Sequence, residues 1–278
     1  MVLIQMKNLT FTYVNSSQPA IHDIDLAVDK GEFVLVTGPT GCGKTTFCRC
    51  LNGLIPHFHA GELKGEVVVD GLNTADHQVY ELAQKVGLVF QNPENQLVAL
   101  NAQRELSFAP ENLGLPREEI EKRVEETLDL VGIRELSEKA PYEMSGGEQQ
   151  QVAIASLLTL KPKILVLDEP TSNLDPVSAK HILELLNELN KSSGITIILI
   201  EHRLEMVSKF ADRAIILDKG RVVLDGNPRE VFSTDLVEKL GIGIPKIAQL
   251  FKILRQKGLD LDIPLSVEEA KNMLLRLI

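Results

Sequence analysis

The sequence lacks the features that would place the chain directly on a membrane or on nucleic acid. No stretch of its 278 residues approaches the ~20 consecutive apolar residues that a transmembrane helix needs. Acidic residues outnumber basic ones by 39 to 29, and the basic residues form no cluster, which argues against nucleic acid and anionic lipid as partners. The start, Met1 to Lys7, does not have the form of a secretory signal peptide. We therefore expect any membrane association to depend on a protein partner.

Cysteine is also scarce, and tryptophan is absent. The three cysteines are Cys42, Cys48 and Cys50, and the last two fall inside a predicted helix. This pattern favours reduced cysteines that pack in the interior of a cytosolic protein over a metal site. With 44% hydrophobic and 24% charged residues, the composition is that of an ordinary globular protein with an extensive core.

The most informative stretch is a glycine-rich loop between an apolar run, Phe33 to Val36, and a predicted helix that ends near Leu51. Its pattern, G-x-x-x-x-G-K-T, is that of a loop that binds the phosphates of a nucleoside triphosphate. Its glycines let backbone N–H groups curl around phosphate oxygens, and the helix N-terminus adds a positive dipole. Lys44 would reach the β- and γ-phosphates, and the Thr45 hydroxyl would bind Mg²⁺. The predicted nucleotide-binding residues of this loop are Gly38, Pro39, Thr40, Gly41, Cys42, Gly43, Lys44, Thr45 and Thr46.

The hydrophobic pattern along the chain predicts an α/β fold. Two antiparallel strands are expected between Met1 and Val28, and the fully apolar runs Ile164–Leu167 and Ile195–Ile200 predict central parallel strands. Apolar residues recur at helical spacing between Asn95 and about Leu160, and again in Ser178–Leu189.

These elements divide the chain into two parts. We expect a nucleotide-binding domain at residues 1–230, with a helical subdomain inserted at about 95–160. Residues 231–278 are expected to form a C-terminal helical extension.

Two further patterns indicate chemistry. Asp168 and Glu169 follow an apolar strand at its carboxyl end, where ligands bind in open α/β sheets. Asp168 is suited to hold Mg²⁺ through water, and Glu169 to act as general base for an attacking water. An acidic pair that merely ends a strand and caps a helix is the alternative.

The second pattern is Ser145-Gly146-Gly147 at the start of a predicted helix. It offers a hydroxyl and bare N–H groups to an anion, although it is also an ordinary helix start.

In combination, these patterns resemble the nucleotide-binding subunits of ABC transporters over residues 1 to about 230. Gly38–Thr46 is similar to the Walker A loop, Ile164–Glu169 to Walker B with its catalytic carboxylate, and Met144–Glu148 to the signature motif. The resemblance implies a P-loop NTPase core with an N-terminal antiparallel β subdomain, a helical signature subdomain and the C-terminal helical extension.

The signature departs from the common pattern in three positions. Met144 and Glu148 replace the commoner leucine and glutamine, and Gln151 stands where many members carry arginine. Ser145, Gly146 and Gly147, which would contact phosphate, are intact.

The resemblance also implies roles for single residues. Gln91 matches the Q-loop glutamine, Asp175 ends the D-loop, and His202 matches the switch histidine that contacts the γ-phosphate. Tyr13 matches the aromatic residue that stacks on adenine. The implied Mg²⁺ ligands, direct or through water, are Thr45, Gln91 and Asp168. The implied catalytic residues are Glu169, His202 and Lys44.

One chain would then hold two separate half-sites. The resemblance implies a head-to-tail dimer in which ATP, with Mg²⁺, lies between the Walker A loop of one chain and Ser145–Gly147 of the other. The second ATPase chain would be a copy of this one or a similar subunit. Hydrolysis would break this bridge and convert chemistry into motion.

Three stretches carry a closer resemblance, to the A component of energy-coupling factor (ECF) transporters, including the cobalt-importer type: Gln91–Leu97, Phe108–Leu115 and Glu201–Arg203. Such transporters import vitamins or transition-metal ions. The resemblance implies a transmembrane coupling subunit, a substrate-binding membrane subunit and a peripheral position on the cytoplasmic face of the cell membrane. Arg104, Glu105 and Phe108 are candidates to contact the membrane partner, with a solvated helix as the alternative. The C-terminal extension would add to the dimer interface, with a packing appendage as the alternative.

Three other functions are alternatives to this interpretation. The first is the ATPase of a conventional binding-protein-dependent importer. A soluble ABC ATPase acting on DNA or ribosomes is disfavoured because the chain has one module, no long coiled-coil insertion and an acidic charge. A small-molecule P-loop kinase would need neither Ser145–Gly147 nor Gln91.

Overall fold

The computed structural model describes residues 1–259 and 261–276, so Asp260, Leu277 and Ile278 of the predicted extension lie outside the described residues. Its strands form two sheets, and all elements are numbered in chain order. The smaller sheet contains β1 (Val2–Tyr13), β2 (Ile21–Asp29), β4 (Gly61–Val69) and β5 (Leu72–Asn73). The larger sheet contains β3 (Phe33–Thr37), β6 (Val86–Val89), β7 (Ile164–Asp168), β8 (Thr196–Ile200), β9 (Arg213–Asp218) and β10 (Arg221–Gly226).

Helices connect and cover the sheets. Those before the middle of the chain are α1 (Lys44–Leu51), α2 (Leu54–His57), α3 (Val79–Leu82), α4 (Ala102–Asn112) and α5 (Arg117–Val131). The next are α6 (Gly146–Leu158), α7 (Pro176–Ser193) and α8 (Leu204–Val207). The C-terminal ones are α9 (Pro228–Ser233), α10 (Asp235–Lys239), α11 (Lys246–Gln256) and α12 (Val267–Leu275).

The four-stranded sheet has the order β2-β1-β4-β5, and every pair in it is antiparallel. Along β2, the buried residues Leu26 and Val28 alternate with the exposed residues Asp25 and Ala27, as expected for a sheet with one face on the core. The predicted N-terminal antiparallel subdomain is confirmed.

The six-stranded sheet has the order β10-β9-β3-β8-β7-β6 and is parallel except for its edge strand β10. Every residue of β3, β7 and β8 is buried, which explains why these segments are continuous apolar runs. Side chains alternate between the two faces, so Phe33 and Leu35 pack toward the inserted helices while Val34 and Val36 pack toward the β subdomain. The predicted α/β core is confirmed.

The predicted helical insertion contains α4, α5 and α6. Val124 and Leu128 of α5 and Val152 of α6 are buried in the same cluster as one face of the large sheet. This packing joins the insertion to the core without adding a strand to either sheet.

Helix α7 is longer at both ends than the predicted Ser178–Leu189. Asp175 caps its N-terminus by accepting bonds from the N–H groups of Val177 (2.9 Å) and Ser178 (3.1 Å). Gly194 ends it with a left-handed backbone at φ 67°.

The described part of the extension is helical, as predicted. Phe251 of α11 and Ala270 of α12 form a small cluster of their own. Val231, Phe232 and Val237, however, belong to the large core beside the sheet. The domain boundary near residue 230 stays a prediction, and apolar packing of the core continues beyond it.

The parallel strands present their carboxyl ends along one edge. Val36 of β3 pairs with Ile200 of β8, Ile200 pairs with Asp168 of β7, and Leu167 pairs with Val89 of β6. The four loops that follow these strands therefore start at the same level, side by side.

Candidate nucleotide-binding site

The first component of the site is the loop from Gly38 to Gly43, between β3 and α1. Gly43 has φ 108°, and a Cβ placed on it would lie 2.5 Å from the carbonyl oxygen of Ala20. A side chain is therefore excluded at this position for two reasons, conformation and space. The result is a backbone surface that a phosphate can approach closely.

Lys44 begins α1 and is buried. Its Nζ donates to the carbonyl oxygens of Gly38 and Pro39, both at 3.1 Å. The ammonium thus lies within the loop, where phosphate oxygens could replace the carbonyls as partners. A buried cation, a glycine cradle and a helix N-terminus together fit the phosphates of a nucleotide.

Asp168 ends β7 and is buried beside this loop. Burial raises the pKa of its carboxyl, and the hydrogen bond with Thr45 and the nearby Lys44 charge oppose that effect. The contact between Asp168 and the Thr45 hydroxyl brings together two oxygen donors of the kind Mg²⁺ prefers. Two of the three predicted Mg²⁺ ligands, Thr45 and Asp168, are therefore in contact, and their oxygen atoms suit a small divalent cation.

Glu169 is the meeting point of three loops. Gln91 Nε2 donates to its Oε2 at 3.0 Å, and His202 Nε2 lies 3.0 Å from its Oε1. Its backbone has φ 51°, and its N–H donates to the carbonyl of Ile200 (3.0 Å). The structure thus joins Gln91 to Glu169, whereas the predicted role of Gln91 as a Mg²⁺ ligand stays a prediction.

Glu201 and Arg203 support this centre, and no role was predicted for either. Glu201 is 2% exposed and accepts bonds from the Thr171 hydroxyl and from the N–H groups of Thr171 (3.2 Å) and His202 (3.0 Å). Arg203 donates to the carbonyls of Ser172 (3.3 Å) and Leu174 (3.0 Å). These bonds tie the His202 loop to the segment before α7. The available signal was a charged residue directly after the apolar strand β8.

Tyr13, predicted to stack on adenine, is half-buried at the end of β1. Its hydroxyl shares a hydrogen bond with Thr46 (3.1 Å) and accepts one from Arg49 (3.3 Å). Phe11 packs edge-on against its ring at 4.8 Å between centroids. The ring is thereby attached to the phosphate-loop helix, and its stacking role stays a prediction.

Ser145, Gly146 and Gly147 lie at the start of α6. The Ser145 hydroxyl accepts the N–H of Glu148 (3.3 Å), and the Glu148 carboxylate accepts the N–H of Ser145 (2.7 Å). A Cβ on Gly147 would lie 2.9 Å from the Ser178 side chain, so the close approach of α6 to α7 requires glycine. The depression beside these residues is lined by residues at the start of α6 and on α7.

Asp175, predicted to contact nucleotide, accepts hydrogen bonds from the backbone and hydroxyl of Ser178 as the N-cap of α7. The hydroxyl bond, and then the backbone bonds, lower the pKa of its carboxyl. A contact with nucleotide stays a prediction for this residue.

The candidates for partner contact on α4 are only partly available. Arg104 is exposed and Phe108 is half-exposed, but Glu105 is 4% exposed. The Glu105 carboxylate accepts the N–H groups of Val98 and Ala99, both at 2.8 Å. The prediction that Glu105 meets a partner is wrong, because its charge is used to hold the preceding loop. That loop exposes two apolar side chains that were not predicted, Val98 and Leu100.

A phosphate loop, an acidic strand end and a Ser-Gly-Gly helix start on one P-loop fold define an ATP-hydrolysing cassette. The chain belongs to the ABC transporter family, whose model matches residues 21–172. It is an ABC ATPase, as the resemblance in the sequence predicted.

Similar proteins extend this assignment to almost the whole chain. An ABC transporter ATP-binding protein of Pyrococcus abyssi is 48% identical over 270 residues, which cover 97% of this chain and 96% of the relative. The energy-coupling factor transporter ATP-binding protein EcfA of Methanothermobacter thermautotrophicus is 39% identical and covers 99% of this chain and 88% of the relative.

Two solved structures have the same fold. CbiO1 from Clostridium perfringens, described as part of the ABC transporter complex CbiONQ, is 33% identical with a TM-score of 0.76 and covers 90% of this chain and 99% of its own. A dimeric ATP-binding cassette in a post-hydrolysis state, bound to ADP and phosphate, is 31% identical with a TM-score of 0.70. That likeness covers 82% of this chain and 99% of the cassette.

Proposed function

We propose that this chain is the ATPase subunit of an ECF-type importer that takes up a vitamin or a transition-metal ion. The observation that carries the proposal is the likeness to EcfA over 99% of the chain, which includes the C-terminal extension as well as the ATPase core. The likeness to CbiO1, part of an ABC transporter complex, supports the same class.

The working unit of the proposal is a head-to-tail dimer with ATP between the chains. Lys44 and the loop N–H groups hold the phosphates, and Tyr13 stacks on the base. Ser145, Gly146 and Gly147 of the second chain complete the site. The separate depression beside Ser145, lined from α6 and α7, and the dimeric form of the similar post-hydrolysis cassette support this arrangement.

The chemistry follows from the contacts of Glu169. Its carboxylate takes a proton from water while the water oxygen attacks the γ-phosphorus, and the bond to the β-phosphate oxygen breaks to release ADP and phosphate. Gln91 and His202 hold the two carboxylate oxygens at 3.0 Å each, which orients the general base before water arrives. Thr45 and Asp168 would hold Mg²⁺, which when bound offsets the negative charge of the phosphates.

The partner in the membrane is reached through a protein contact. Among residues 1–259 and 261–276, no helix combines the length and apolarity needed to cross a bilayer. An apolar docking patch, defined as Val98, Leu100 and Phe108, is exposed on the helical insertion, with Leu100 at 86%. Their exposure leaves these three side chains available to contact another protein. We assign the patch to the transmembrane coupling subunit, with this chain peripheral on the cytoplasmic face.

Introducing negative charge into the patch tests this assignment. In cells that co-express the membrane subunits, the double variant Leu100→Asp/Phe108→Asp should co-purify about tenfold less membrane protein than the parent chain, because two apolar side chains that docking would bury become carboxylates. The amount of partner retained by a tagged chain from detergent-solubilised membranes, normalised to that chain, gives the measurement.

Leu130→Asp provides the matched control. Leu130 is a half-exposed leucine on α5 of the same helical insertion, outside the patch. Equal retention by both variants would contradict the docking assignment. If the tagged chain co-purifies with a soluble substrate-binding protein and not with a small substrate-binding membrane subunit, a conventional importer would be favoured instead.

A further inference from the structure

Apart from Lys139, every charged residue in the segment around the signature is acidic. Between Arg134 and Lys161 the sequence carries glutamates at positions 135, 138, 143 and 148, and Lys139 is its single basic residue. A segment that must accept the phosphates of ATP from a second chain is therefore poor in positive charge.

Lys139 lies against the signature itself. Its Nζ is 2.9 Å from Oε1 of Glu148, while Oε2 of Glu148 accepts the N–H of Ser145 at 2.7 Å. The bonds from the Ser145 backbone and from Lys139 lower the pKa of Glu148 to about 2. Glu148 is therefore ionised at neutral pH, and its charge lies within one helical turn of Gly146 and Gly147.

Lys139 is itself held in place by the helical insertion. Its N–H donates to the carbonyl of Leu136 (2.9 Å), and its carbonyl accepts the N–H of Ala102 (3.1 Å) at the start of α4. The ammonium thus reaches Glu148 from a fixed backbone. An equivalent cation from solvent would have to be recruited for each binding event.

We propose that Lys139 is a positioning residue of the signature half-site: its ammonium offsets the Glu148 carboxylate and holds the turn so that Ser145–Gly147 can accept the phosphates of ATP bound to a second chain. The inference rests on the proposed composite site. An uncompensated carboxylate at this helix start would repel the phosphates, so the two chains would close less often around ATP. Because Lys139 acts through Glu148, the effects of substituting these two residues should not be additive.

A double-mutant cycle provides the test. Lys139→Met should raise the KM for MgATP about tenfold at low ionic strength, with a smaller change in kcat, because an unpaired carboxylate then faces the phosphates. The rise should shrink to about threefold or less near 0.5 M salt, where charges are strongly screened. In a Glu148→Gln background the same Lys139→Met change should alter the KM less than about twofold. Steady-state phosphate release at several salt concentrations measures all four proteins.

The control is Lys161→Met, which removes a lysine paired with Glu126 (3.3 Å) in the same insertion, and its KM should equal that of the parent chain. Equal effects of Lys139→Met in both backgrounds, or an effect that salt does not reduce, would overturn the proposal. Thermal unfolding of each variant identifies a simple loss of fold, which would lower active protein without a salt-dependent KM. A parent chain that releases no phosphate would refute the composite ATPase site instead, so the two failures are distinguishable.

Discussion

A Glu169→Gln chain should bind MgATP and form a stable dimer, yet release phosphate about 10²–10⁴ times more slowly than the parent chain. The amide keeps the size of the carboxyl group and can still meet Gln91 and His202, which lie 3.0 Å from it. It cannot take a proton from water. Hydrolysis is therefore slowed, while ATP bound between the two chains still holds the dimer together.

Phosphate release and the ATP-dependent molar mass in solution together measure this result. Glu188→Gln serves as control, because it makes the same change at an exposed position of α7. Turnover within about threefold of the parent chain would remove Glu169 from the role of general base, since such a loss is far below the usual effect. A Glu169→Gln chain that is slow but stays monomeric with ATP would support Glu169 as the general base and contradict the proposal that ATP bridges two chains.

Two inactive variants should restore each other when mixed. Lys44→Ala removes the buried cation of the phosphate loop, and Ser145→Arg blocks the helix start that accepts phosphate from the other chain. In a mixed dimer, one site carries both defects and the other carries neither. Random pairing makes about half of the dimers mixed, so the mixture should regain about a quarter of the parent activity.

Separate tags on the two variants verify that mixed dimers form. Each variant alone should release less than about 1% of the parent phosphate, because a group that acts on the phosphates is missing from every site. Tagged chains that pair but stay inactive would contradict the composite site. An active Ser145→Arg homodimer would show that the helix start of α6 takes no part in hydrolysis.

Local patterns were sufficient for much of the fold. The glycine-rich loop between a strand and a helix, the apolar central strands and the inserted helices each depend on a short stretch of sequence, and the structure contains all three. The contact of Gln91, Glu169 and His202 depends instead on strand order. These residues are far apart in sequence and meet because β6, β7 and β8 are neighbours in the sheet. Only the resemblance to a family, not periodicity, linked them in advance.

Two carboxylates, those of Glu105 and Glu201, are buried for the same physical reason. Glu105 is a predicted contact for the membrane partner, but its carboxylate accepts two backbone N–H groups of the loop before it. Glu201 was given no role although it is buried for the same reason, as an acceptor for backbone and hydroxyl donors. A buried carboxylate of this kind is stabilised by partners that a one-dimensional pattern does not contain.

The first residues of the C-terminal extension are packed into the ATPase core. Val231, Phe232 and Val237 lie in the core beside the sheet, while Arg229 forms an ion pair with Glu269 (2.6 Å) and donates to the carbonyl of Ile263 (2.8 Å). A load applied to the last helices therefore reaches the ATPase core through side chains packed inside it. A chain cut before Val231 would therefore lose the C-terminal helices and also apolar side chains of the ATPase core.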